Sequence, residues 1–357
     1  MGIETKSPAT PPITLDGRKV GPGEPPYVIA EVSGNHNGSI DRAKAIITAA
    51  ADKGAHAVKL QTYTAATMTI KSDRPEFKIS GGLWDGYTLW DLYEWAHTPF
   101  KWHAELFAHA KSCGVTCIST PFDETAVDLL EEVGAPFYKV ASFEMTDLPL
   151  VRRIAQTGKP MIISTGMATR EEIAATLEVA RKHGSGEIVV LHCISGYPTP
   201  VAEANLAAIP ALAREFNVLI GLSDHTIGNT AVIASVALGA CLIEKHFTLA
   251  RADGGPDAEF SMEPPELAEM VKAARDAYDA MGDGGIRRTG FEEKSTQFRR
   301  SIYVVEDVKK GDAFTAQNIR RIRPGNGLSP DRYDAALQSH AATDIAAGTP
   351  LEESHLE

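Results

Sequence analysis

Short apolar runs recur along most of the sequence, and an amphipathic segment follows nearly every one of them. The runs are rich in Val and Ile, which is typical of strands buried on both faces of a parallel sheet. The segments between them, such as DRAKAIITAAADKGA and REEIAATLEVARKHG, carry an acid near the start and a glycine near the end, as helices do. The repeat therefore predicts consecutive strand–helix units. The runs are YVIAEVS, HAVKLQT, VTCIST, APFYKVAS, PMIISTG, IVVLHCIS, VLIGLSDH and CLIEKHFTL.

The number of units decides between two α/β folds. Eight units between residues 27 and 249 match a (β/α)8 TIM barrel. The alternative, a doubly wound open sheet, is marked by a G-x-G-x-x-G turn after the first strand, which is missing here. Polar residues also end all the runs rather than a few neighbouring ones. We therefore expect a TIM barrel.

Changes in composition suggest where the barrel begins and ends. We expect an N-terminal extension over 1–26, the TIM-barrel domain over 27–281, a polar linker over 282–300 and a small β-rich module over 301–357. Residues 68–103 form an insertion that is dense in Trp and Tyr. We expect this insertion to cover one mouth of the barrel.

The C-terminal module carries a weak internal repeat. DVKKGDAFT at 307–315 and DIAAGTPLE at 344–352 each predict a strand, a tight glycine turn and a second strand. Two hairpins of this length cannot form a large core of their own. We therefore expect the module to pack against its own barrel or against a neighbouring subunit.

Charge and cysteine content exclude several classes of protein. A net charge of −12 argues against nucleic acid or an anionic membrane as a partner. No run is suited to a signal peptide or long enough to span a membrane. The cysteines form no CxxC pair and are expected to be reduced, as in a cytoplasmic protein. They are Cys113, Cys117, Cys193 and Cys241.

Polar side chains gather at the ends of the predicted strands. Function in a TIM barrel lies at the C-terminal ends of the strands. Since side chains alternate along a strand, Lys59 and Gln61 share one face, as do Glu244 and His246. Buried polar groups need hydrogen-bond partners, so a barrel interior with so many of them indicates that a ligand binds there. The strand ends carry Glu31, Lys59, Gln61, Ser119, Thr120, Lys139, Ser142, Ser164, Thr165, His192, Ser195, Ser223, Asp224, His225, Glu244, Lys245 and His246.

Two lysines and several hydroxyls are suited to an anionic ligand. Lys59 and Lys139 supply positive charge, and hydroxyl groups fix the orientation of a phosphate or carboxylate. Structural ion pairs with nearby glutamates are the alternative. A Schiff-base lysine is another, but it needs an apolar pocket, and both lysines have polar neighbours. The supporting hydroxyls are those of Thr120, Ser142, Ser164 and Ser223.

His225 and His246 end adjacent predicted strands and are candidate metal ligands. Two imidazoles leave coordination positions open for water or substrate, which favours an exchangeable ion such as Mn²⁺ over structural zinc. The alternative is a pair of hydrogen-bonded core histidines. Asp224 and Glu244 are candidates to orient the two imidazoles.

Other residues are open to two interpretations. His36, in SGNHNGS, could serve either a site or the core, and His192 is expected in the core. Asp257, in ADGGPD, could be a turn residue. Arg323, in RIRPGNGL, is either a surface arginine or a group that the following turn presents to a polar ligand.

Together these stretches resemble the sialic acid synthase family, which condenses phosphoenolpyruvate (PEP) with an acylamino sugar. The resemblance runs from about Tyr27 to the C-terminus, and the module resembles the antifreeze-like (SAF) domain of those enzymes through RPGNGL. GGLWDGYTLWDLYEWAHTP, KVASFEMTD and LARADGGPDAEFS resemble the branch that makes pseudaminic acid. The family-like stretches are IAEVSGNHNGS, VKLQTY, STPFDETAVDLLEEVGAPFYKVAS, ISTGM, GLSDHT, and EKHFT followed by GGPD.

The resemblance implies roles for particular residues. It implies that His225 and His246 bind the metal, and that Glu31 or Glu144 accepts a proton during catalysis. At the position of Ser195 the family has an asparagine, so the contact of Ser195 with PEP is in doubt. PEP is implied to bind to Lys59, Thr120, Lys139, Ser142, Ser164, Ser195 and Ser223, and the sugar to Glu31, Gln61, Tyr197, Asp257 and Arg323.

The resemblance also implies a reaction and an assembly. The expected sugar is 2,4-diacetamido-2,4,6-trideoxy-L-altrose, and the expected products are pseudaminic acid and phosphate. The metal is expected to be Mn²⁺, with Mg²⁺ or Co²⁺ as alternatives. We expect a domain-swapped homodimer in which Arg323 completes the partner's site. The competing functions are N-acetylneuraminate or legionaminate synthase, a Schiff-base aldolase and a sugar-binding barrel without activity.

Overall fold

Eight parallel strands close into a barrel in a computed structural model that describes residues 10–357. The chain forms two compact units that divide after Gly282. The last barrel strand pairs with both the first and the seventh, so the sheet has no open edge and the TIM barrel is confirmed. A short antiparallel hairpin precedes the barrel and consists of β1 (Ile13–Leu15) and β2 (Arg18–Val20). The barrel strands are β3 (Tyr27–Glu31), β4 (Ala57–Thr62), β5 (Thr116–Pro121), β6 (Tyr138–Val140), β7 (Met161–Ser164), β8 (Ile188–Cys193), β9 (Leu219–Asp224) and β10 (Leu242–His246).

The helices begin at the polar caps that the sequence shows. Ser39 accepts a hydrogen bond from Arg42 N, and Thr169 and Glu172 form a reciprocal capping box. The helices of the larger unit are α1 (Ile40–Asp52), α2 (Ala65–Met68), α3 (Leu89–Ala96), α4 (His103–Ser112), α5 (Glu124–Glu132), α6 (Leu148–Ala155), α7 (Arg170–Lys182), α8 (Ala208–Phe216), α9 (Thr230–Ala237) and α10 (Pro264–Met281). Single 3-10 turns cover Pro75–Phe77, Phe100–Trp102, Val201–Glu203 and Arg251–Asp253.

The hairpin of β1 and β2 closes the N-terminal end of the barrel. Ile13, Leu15 and Val20 pack with the inward side chains near the start of the barrel strands, such as Leu219. The outward side chains form a separate apolar layer with the helices. Because the hairpin fills this end with hydrocarbon, the inward polar groups within residues 10–357 lie towards the C-terminal end.

The insertion after β4 folds onto the C-terminal mouth, as its position in the sequence predicts. The Trp84 indole N–H donates a hydrogen bond to Pro256 O at 2.8 Å, in the loop that follows β10. The Trp84 ring also lies 5.9 Å from the ring of Tyr197, which follows β8. The insertion therefore contacts loops from two other strands of the barrel.

The smaller unit has a hydrophobic core of its own, which includes Ile302, Phe314 and Leu351. The prediction of two separate hairpins is wrong, because the two similar stretches pair with each other through an antiparallel bridge between Val308 and Ile345. Its strands are β11 (Ser301–Val304) and β12 (Ile319–Ile322), which are antiparallel. Its helices are α11 (Gly290–Glu293) and α12 (Tyr333–Ala336), with 3-10 turns over Lys294–Phe298, Pro330–Arg332 and Glu353–His355.

No helix within residues 10–357 is both long and apolar enough to cross a membrane.

The hairpin that closes the barrel should contribute measurably to stability. Leu15 is fully buried, whereas Thr14 beside it is exposed. We expect Leu15→Ala to lower the free energy of unfolding by about 2–5 kcal/mol, because it removes buried hydrocarbon and leaves a cavity. Thr14→Ala is the matched control and should change it by less than about 0.5 kcal/mol. Urea unfolding measures both, and equal effects of the two substitutions would contradict a sealing role for the hairpin.

Candidate active site

The alternation of side chains carries one polar set into the barrel at its C-terminal end. Inward positions run Tyr27, Ile29, Glu31 along β3 and Leu242, Glu244, His246 along β10, so that apolar residues change to polar ones along each strand. The same change occurs on the other strands. The inward polar residues, all buried or nearly so, are Glu31, Lys59, Gln61, Thr120, Lys139, Ser164, Ser223, Glu244 and His246.

Glu244 lies between the two candidate anion-binding lysines. Its Oε1 is 3.9 Å from Lys59 Nζ and 3.8 Å from Lys139 Nζ, and it accepts a hydrogen bond from Ser223 Oγ at 3.2 Å. Lys59 Nζ is also 2.7 Å from Glu31 Oε2. Among the described residues, Glu244 Oε2 has no hydrogen-bond partner. Charges that the sequence places on four strands therefore form one buried cluster.

Burial and the lysines act in opposite directions on the two glutamates. Burial raises the pKa of Glu31 to about 7, although Lys59 favours its charged form. Burial also disfavours the charged form of Glu244, but Lys139 and Lys59 outweigh it and hold the pKa of Glu244 below its usual value. Burial lowers the pKa of Lys139, while Glu244 favours its charged form. With Lys59 and Lys139 as ammonium groups and Glu244 ionised, the cluster leaves positive charge for an anion.

Hydroxyl groups surround the two ammonium groups. Lys59 Nζ donates to Thr120 Oγ1 at 3.2 Å, and Lys139 Nζ donates to Ser164 Oγ at 2.7 Å. Lys139 Nζ also donates to Val140 O at 3.0 Å. Hydroxyls at this position can donate to a phosphate or carboxylate oxygen while the lysines supply charge.

Gly166 brings two further hydroxyls together. Its N–H donates to Ser142 Oγ at 3.0 Å. A Cβ on Gly166 would stand 2.7 Å from Ser142 Oγ and would overlap Ser195 Oγ. Only glycine therefore lets Ser142 and Ser195 approach each other here. The sequence shows this glycine in ISTGM but not what it contacts.

The two candidate metal ligands face each other. The ring centroids of His225 and His246 are 5.4 Å apart. His225 Nδ1 lies 2.9 Å from Ile194 O, and because a carbonyl only accepts, Nδ1 carries the proton and Nε2 is left with a lone pair. His246 Nδ1 has no hydrogen-bond partner among the described residues, and burial holds the pKa of His246 well below its usual value. Burial disfavours the charged form of His225, but Cys193 outweighs it and raises the pKa of His225. A divalent cation could bind to the neutral His246 and take the place of a proton on His225 Nε2.

Within residues 10–357 no group of three or more His, Cys, Asp and Glu side chains is arranged to hold a metal ion. A cation at the two histidines would therefore draw its remaining ligands from water or substrate, as the sequence analysis expects.

Aromatic rings line the histidine side of the site. The Tyr197 ring is 4.4 Å from His225, and the Phe260 ring is 4.8 Å from His246. Tyr197 and Phe260 are themselves 5.2 Å apart. Phe260 was not predicted, because one aromatic residue in the loop after β10 carries no pattern that marks it.

A hydrogen-bonded chain links the lysine side to the histidine side. Gln61 Nε2 donates to Glu31 Oε1 at 2.9 Å and to Ser33 Oγ at 3.2 Å. Ser33 Oγ donates in turn to Asp257 Oδ2, which lies 3.8 Å from His246 Nδ1. Ser33 has a φ of 49°, which is uncommon for a residue other than glycine. Ser33 was not predicted as a site residue, since nothing local reveals its contact with a loop more than two hundred residues away.

Two candidate residues remain to be described. Glu144, in the turn after β6, has an Oε2 without a hydrogen-bond partner among the described residues, and burial raises its pKa to about 7. Arg323 belongs to the smaller unit, where it is exposed.

Several other candidates have structural contacts. His36 Nδ1 accepts from Gly38 N at 3.1 Å, and His192 faces outward and donates to Ala204 O at 2.8 Å. The expectation that Asp224 and Glu244 orient the histidines by direct contact is not met. Glu244 pairs with the lysines, and Asp224 points out of the barrel towards Lys245.

Comparison with known proteins gives the family. Residues 46–285 match the NeuB family and residues 299–357 match the SAF domain. The chain belongs to the NeuB family. The resemblance to sialic acid synthases is thereby confirmed, and the protein is a PEP-dependent nonulosonate synthase, a transferase.

Relatives with different named products are almost equally similar. A pseudaminic acid synthase of Campylobacter jejuni is 42% identical over 92% of this chain and 96% of that protein. An N,N'-diacetyllegionaminic acid synthase of the same species is 40% identical over 87% of this chain and 94% of that protein. The crystal structure of an N-acetylneuraminic acid synthetase from Leptospira borgpetersenii, in complex with citrate, is 31% identical with a TM-score of 0.73, and covers 81% of this chain and 96% of that one.

The close approach at Gly166 can be tested by adding one methyl group. We expect Gly166→Ala to raise the KM for PEP by about ten- to a hundredfold, because the new Cβ separates Ser142 and Ser195 and removes one or two hydrogen bonds to the ligand. Gly186→Ala is the matched control, since its Cβ would meet nothing within 4 Å. Phosphate release at varied PEP concentration measures both. An unchanged KM in Gly166→Ala would show that these hydroxyls do not contact PEP.

Proposed function

We propose that this NeuB-family enzyme is a pseudaminic acid synthase that condenses PEP with 2,4-diacetamido-2,4,6-trideoxy-L-altrose and releases phosphate. The main support for this reaction is the buried cluster of Lys59, Lys139 and Glu244. The facing imidazoles of His225 and His246 lie at the same mouth of the barrel. The choice of sugar is supported by the sequence of the insertion, which resembles that of pseudaminic acid synthases. It is also supported by the relative of that name that is 42% identical.

A legionaminate or N-acetylneuraminate synthase is the second candidate. The 40% identity to a legionaminic acid synthase favours it almost as strongly as the first. The reaction and the charged cluster would be unchanged, because only the acylamino sugar differs. The choice therefore depends on the contacts of the sugar.

A Schiff-base mechanism fits the lysines poorly. Such a lysine must lose its proton to act as a nucleophile. Glu244 and Glu31 raise the pKa of Lys59 despite its burial. Burial lowers the pKa of Lys139, but its Nζ donates to two oxygens and lies near Glu244, and these contacts favour the ammonium form. A purely sugar-binding barrel is also a poor fit, because a neutral sugar needs no pair of buried lysines.

PEP is assigned to the lysine side of the mouth. Lys59 and Lys139 would neutralise its phosphate and carboxylate, and the positive charge would stabilise the phosphate as it leaves. The hydroxyls of Thr120, Ser142, Ser164, Ser195 and Ser223 would fix its orientation.

The residues on the other side fit a divalent metal ion, for which we propose Mn²⁺, with Mg²⁺ or Co²⁺ as alternatives. His225 Nε2 and the neutral His246 imidazole would hold it. When bound, such an ion polarises the aldehyde oxygen of the sugar as a Lewis acid. We assign the sugar to Asp257, Gln61 and Tyr197, which lie on the histidine side or on the hydrogen-bonded chain that leads to it.

The chain's own carboxylates would carry the proton transfer. The methylene carbon of PEP uses the electron pair of its C=C bond to form a C–C bond with the aldehyde carbon, whose C=O π pair becomes an alkoxide. The alkoxide takes up the proton that the carboxylate removes from water in the next step. Water then adds to the enol-ether carbon and gives a proton to Glu31, whose pKa near 7 suits a general base. The C–O bond to phosphate breaks as the tetrahedral intermediate collapses. Glu144 is the alternative base, since burial raises its pKa to about 7 as well.

We further propose a domain-swapped homodimer, in which the SAF domain of one copy covers the mouth of the other and supplies Arg323. An apolar rim supports this proposal. Its residues are each at least 50% exposed in loops after four successive strands, and large exposed apolar surfaces mark interaction sites. Sedimentation that finds only monomers would contradict it. The rim consists of Phe143, Met167, Val201 and Ile227.

We also infer a cytoplasmic location. All four cysteines are free, and three of them are buried. Free thiols persist in reducing compartments.

The function can be tested by the choice of sugar and by metal removal. We expect phosphate release from PEP to be at least about tenfold faster with the altrose derivative than with ManNAc or the legionaminate precursor, equivalent to 1.4 kcal/mol of discrimination. EDTA should abolish it and Mn²⁺ should restore it. His246→Ala, which removes one ligand, is the control that Mn²⁺ should not restore. Preference for another sugar would overturn the pseudaminate assignment, and activity unaffected by EDTA would overturn the metal.

The general base can be assigned from the pH dependence of the rate. A base must be unprotonated to accept a proton, so kcat/KM should rise as the pH rises through about 7, the pKa of Glu31. We expect Glu31→Gln to lower kcat by at least about a hundredfold and to remove this rise. Glu144→Gln should keep the rise. The opposite pattern in the two variants would identify Glu144 as the base.

A further inference from the structure

A buried ion pair lies directly behind the two facing histidines. Lys245 Nζ is 2.5 Å from Asp224 Oδ2, and both side chains are almost completely buried. The two residues are opposite each other in the parallel pairing of β9 with β10. They are the last pair in that register, so the ladder between the two strands ends on them.

Each member of the pair is the sequence neighbour of one imidazole. Because side chains alternate, Asp224 and Lys245 point outward where His225 and His246 point inward. His225 lies beyond the last residue of β9, so on the β10 side no ladder hydrogen bond holds it. On its β8 side its carbonyl accepts from Thr199 N at 2.9 Å.

Beyond the last residue pair of the ladder, the ion pair and its hydrogen bonds connect the two strands. Asp224 Oδ1 accepts from Thr226 N at 2.9 Å and Oδ2 accepts from Thr226 Oγ1 at 3.2 Å. Lys245 Nζ donates to Thr226 O at 2.6 Å. The residues on both sides of His225 are therefore fixed to the strand that carries His246.

Stability alone does not explain charges at this place. The other outward side chains of these strands, such as Ile220, Leu222 and Ile243, are apolar and pack against the helices. Apolar side chains of similar volume are often as stabilising as a buried ion pair or more so. What an ion pair with directed hydrogen bonds adds is a defined geometry.

We propose that the Asp224–Lys245 ion pair positions both candidate metal ligands, by fixing the strand end and the turn that set the separation of the His225 and His246 imidazoles. The two residues are positioning residues, since they act through the backbone and touch no substrate. The inference rests on the proposed role of the histidines in metal binding.

The test compares single and double substitutions by their Mn²⁺ affinity in the absence of substrates. Asp224→Asn and Lys245→Met each leave one charge buried without its partner, so we expect both lower stability and a Kd for Mn²⁺ raised about ten- to a hundredfold. The double variant has no unpaired charge. We expect its stability in urea to return close to that of the wild type while its Mn²⁺ affinity stays low.

Two controls separate positioning from general damage. Leu15→Ala destabilises the opposite end of the barrel and should leave the Mn²⁺ affinity unchanged. The Kd for PEP without metal should stay unchanged in the double variant, because Lys59 and Lys139 are not involved. Should a single variant fail to fold, the double variant and Leu15→Ala still carry the comparison.

Each remaining outcome would overturn the proposal. Mn²⁺ affinity that recovers in the double variant together with stability would show that the pair is only structural. Parallel loss of PEP affinity would show that it supports the whole mouth rather than the histidines. A wild-type protein that binds no Mn²⁺ would overturn both this inference and the proposed metal site, whereas normal binding in all variants would overturn the inference alone.

Discussion

The chemistry at the mouth of the barrel depends on one carboxylate held between two buried lysines. Glu244 lies less than 4 Å from both Lys59 and Lys139, and without it the two buried ammonium groups would repel each other. Its ionisation keeps both charges in place. An acidic protein with a net charge of −12 thereby keeps a local site for an anion.

The barrel separates two kinds of chemistry that the reaction needs side by side. Lysines and hydroxyls gather on one side of the mouth, and two imidazoles pack against the rings of Tyr197 and Phe260 on the other. The chain from Glu31 through Gln61 and Ser33 to Asp257 runs between them. An anion and a polarised aldehyde could therefore meet within one pocket without competing for the same side chains.

Charge on the outside of the barrel is used differently. Glu244 and Lys245 are neighbours in sequence, yet one faces the mouth and the other faces the helices. Glu244 faces the proposed ligand site. Lys245 instead pairs with Asp224 and donates a hydrogen bond to a backbone carbonyl. The hairpin at the other end of the barrel completes the division, because its apolar side chains leave no polar site there.

The sequence by itself determined the repeat of eight strand–helix units, the face of each strand and the place where polar residues replace apolar ones, because these are local periodic properties of the chain. The strand ends that carry Lys59, Lys139, His225 and His246 could be read in this way. Only the tertiary structure decided which ends meet. It placed Glu244 against the lysines instead of the histidines, turned Asp224 towards Lys245, brought Ser33 to Asp257, and paired Val308 with Ile345 where the sequence indicated two hairpins. Distances across a closed barrel and pairings between remote segments depend on closure and register, and no local pattern contains them.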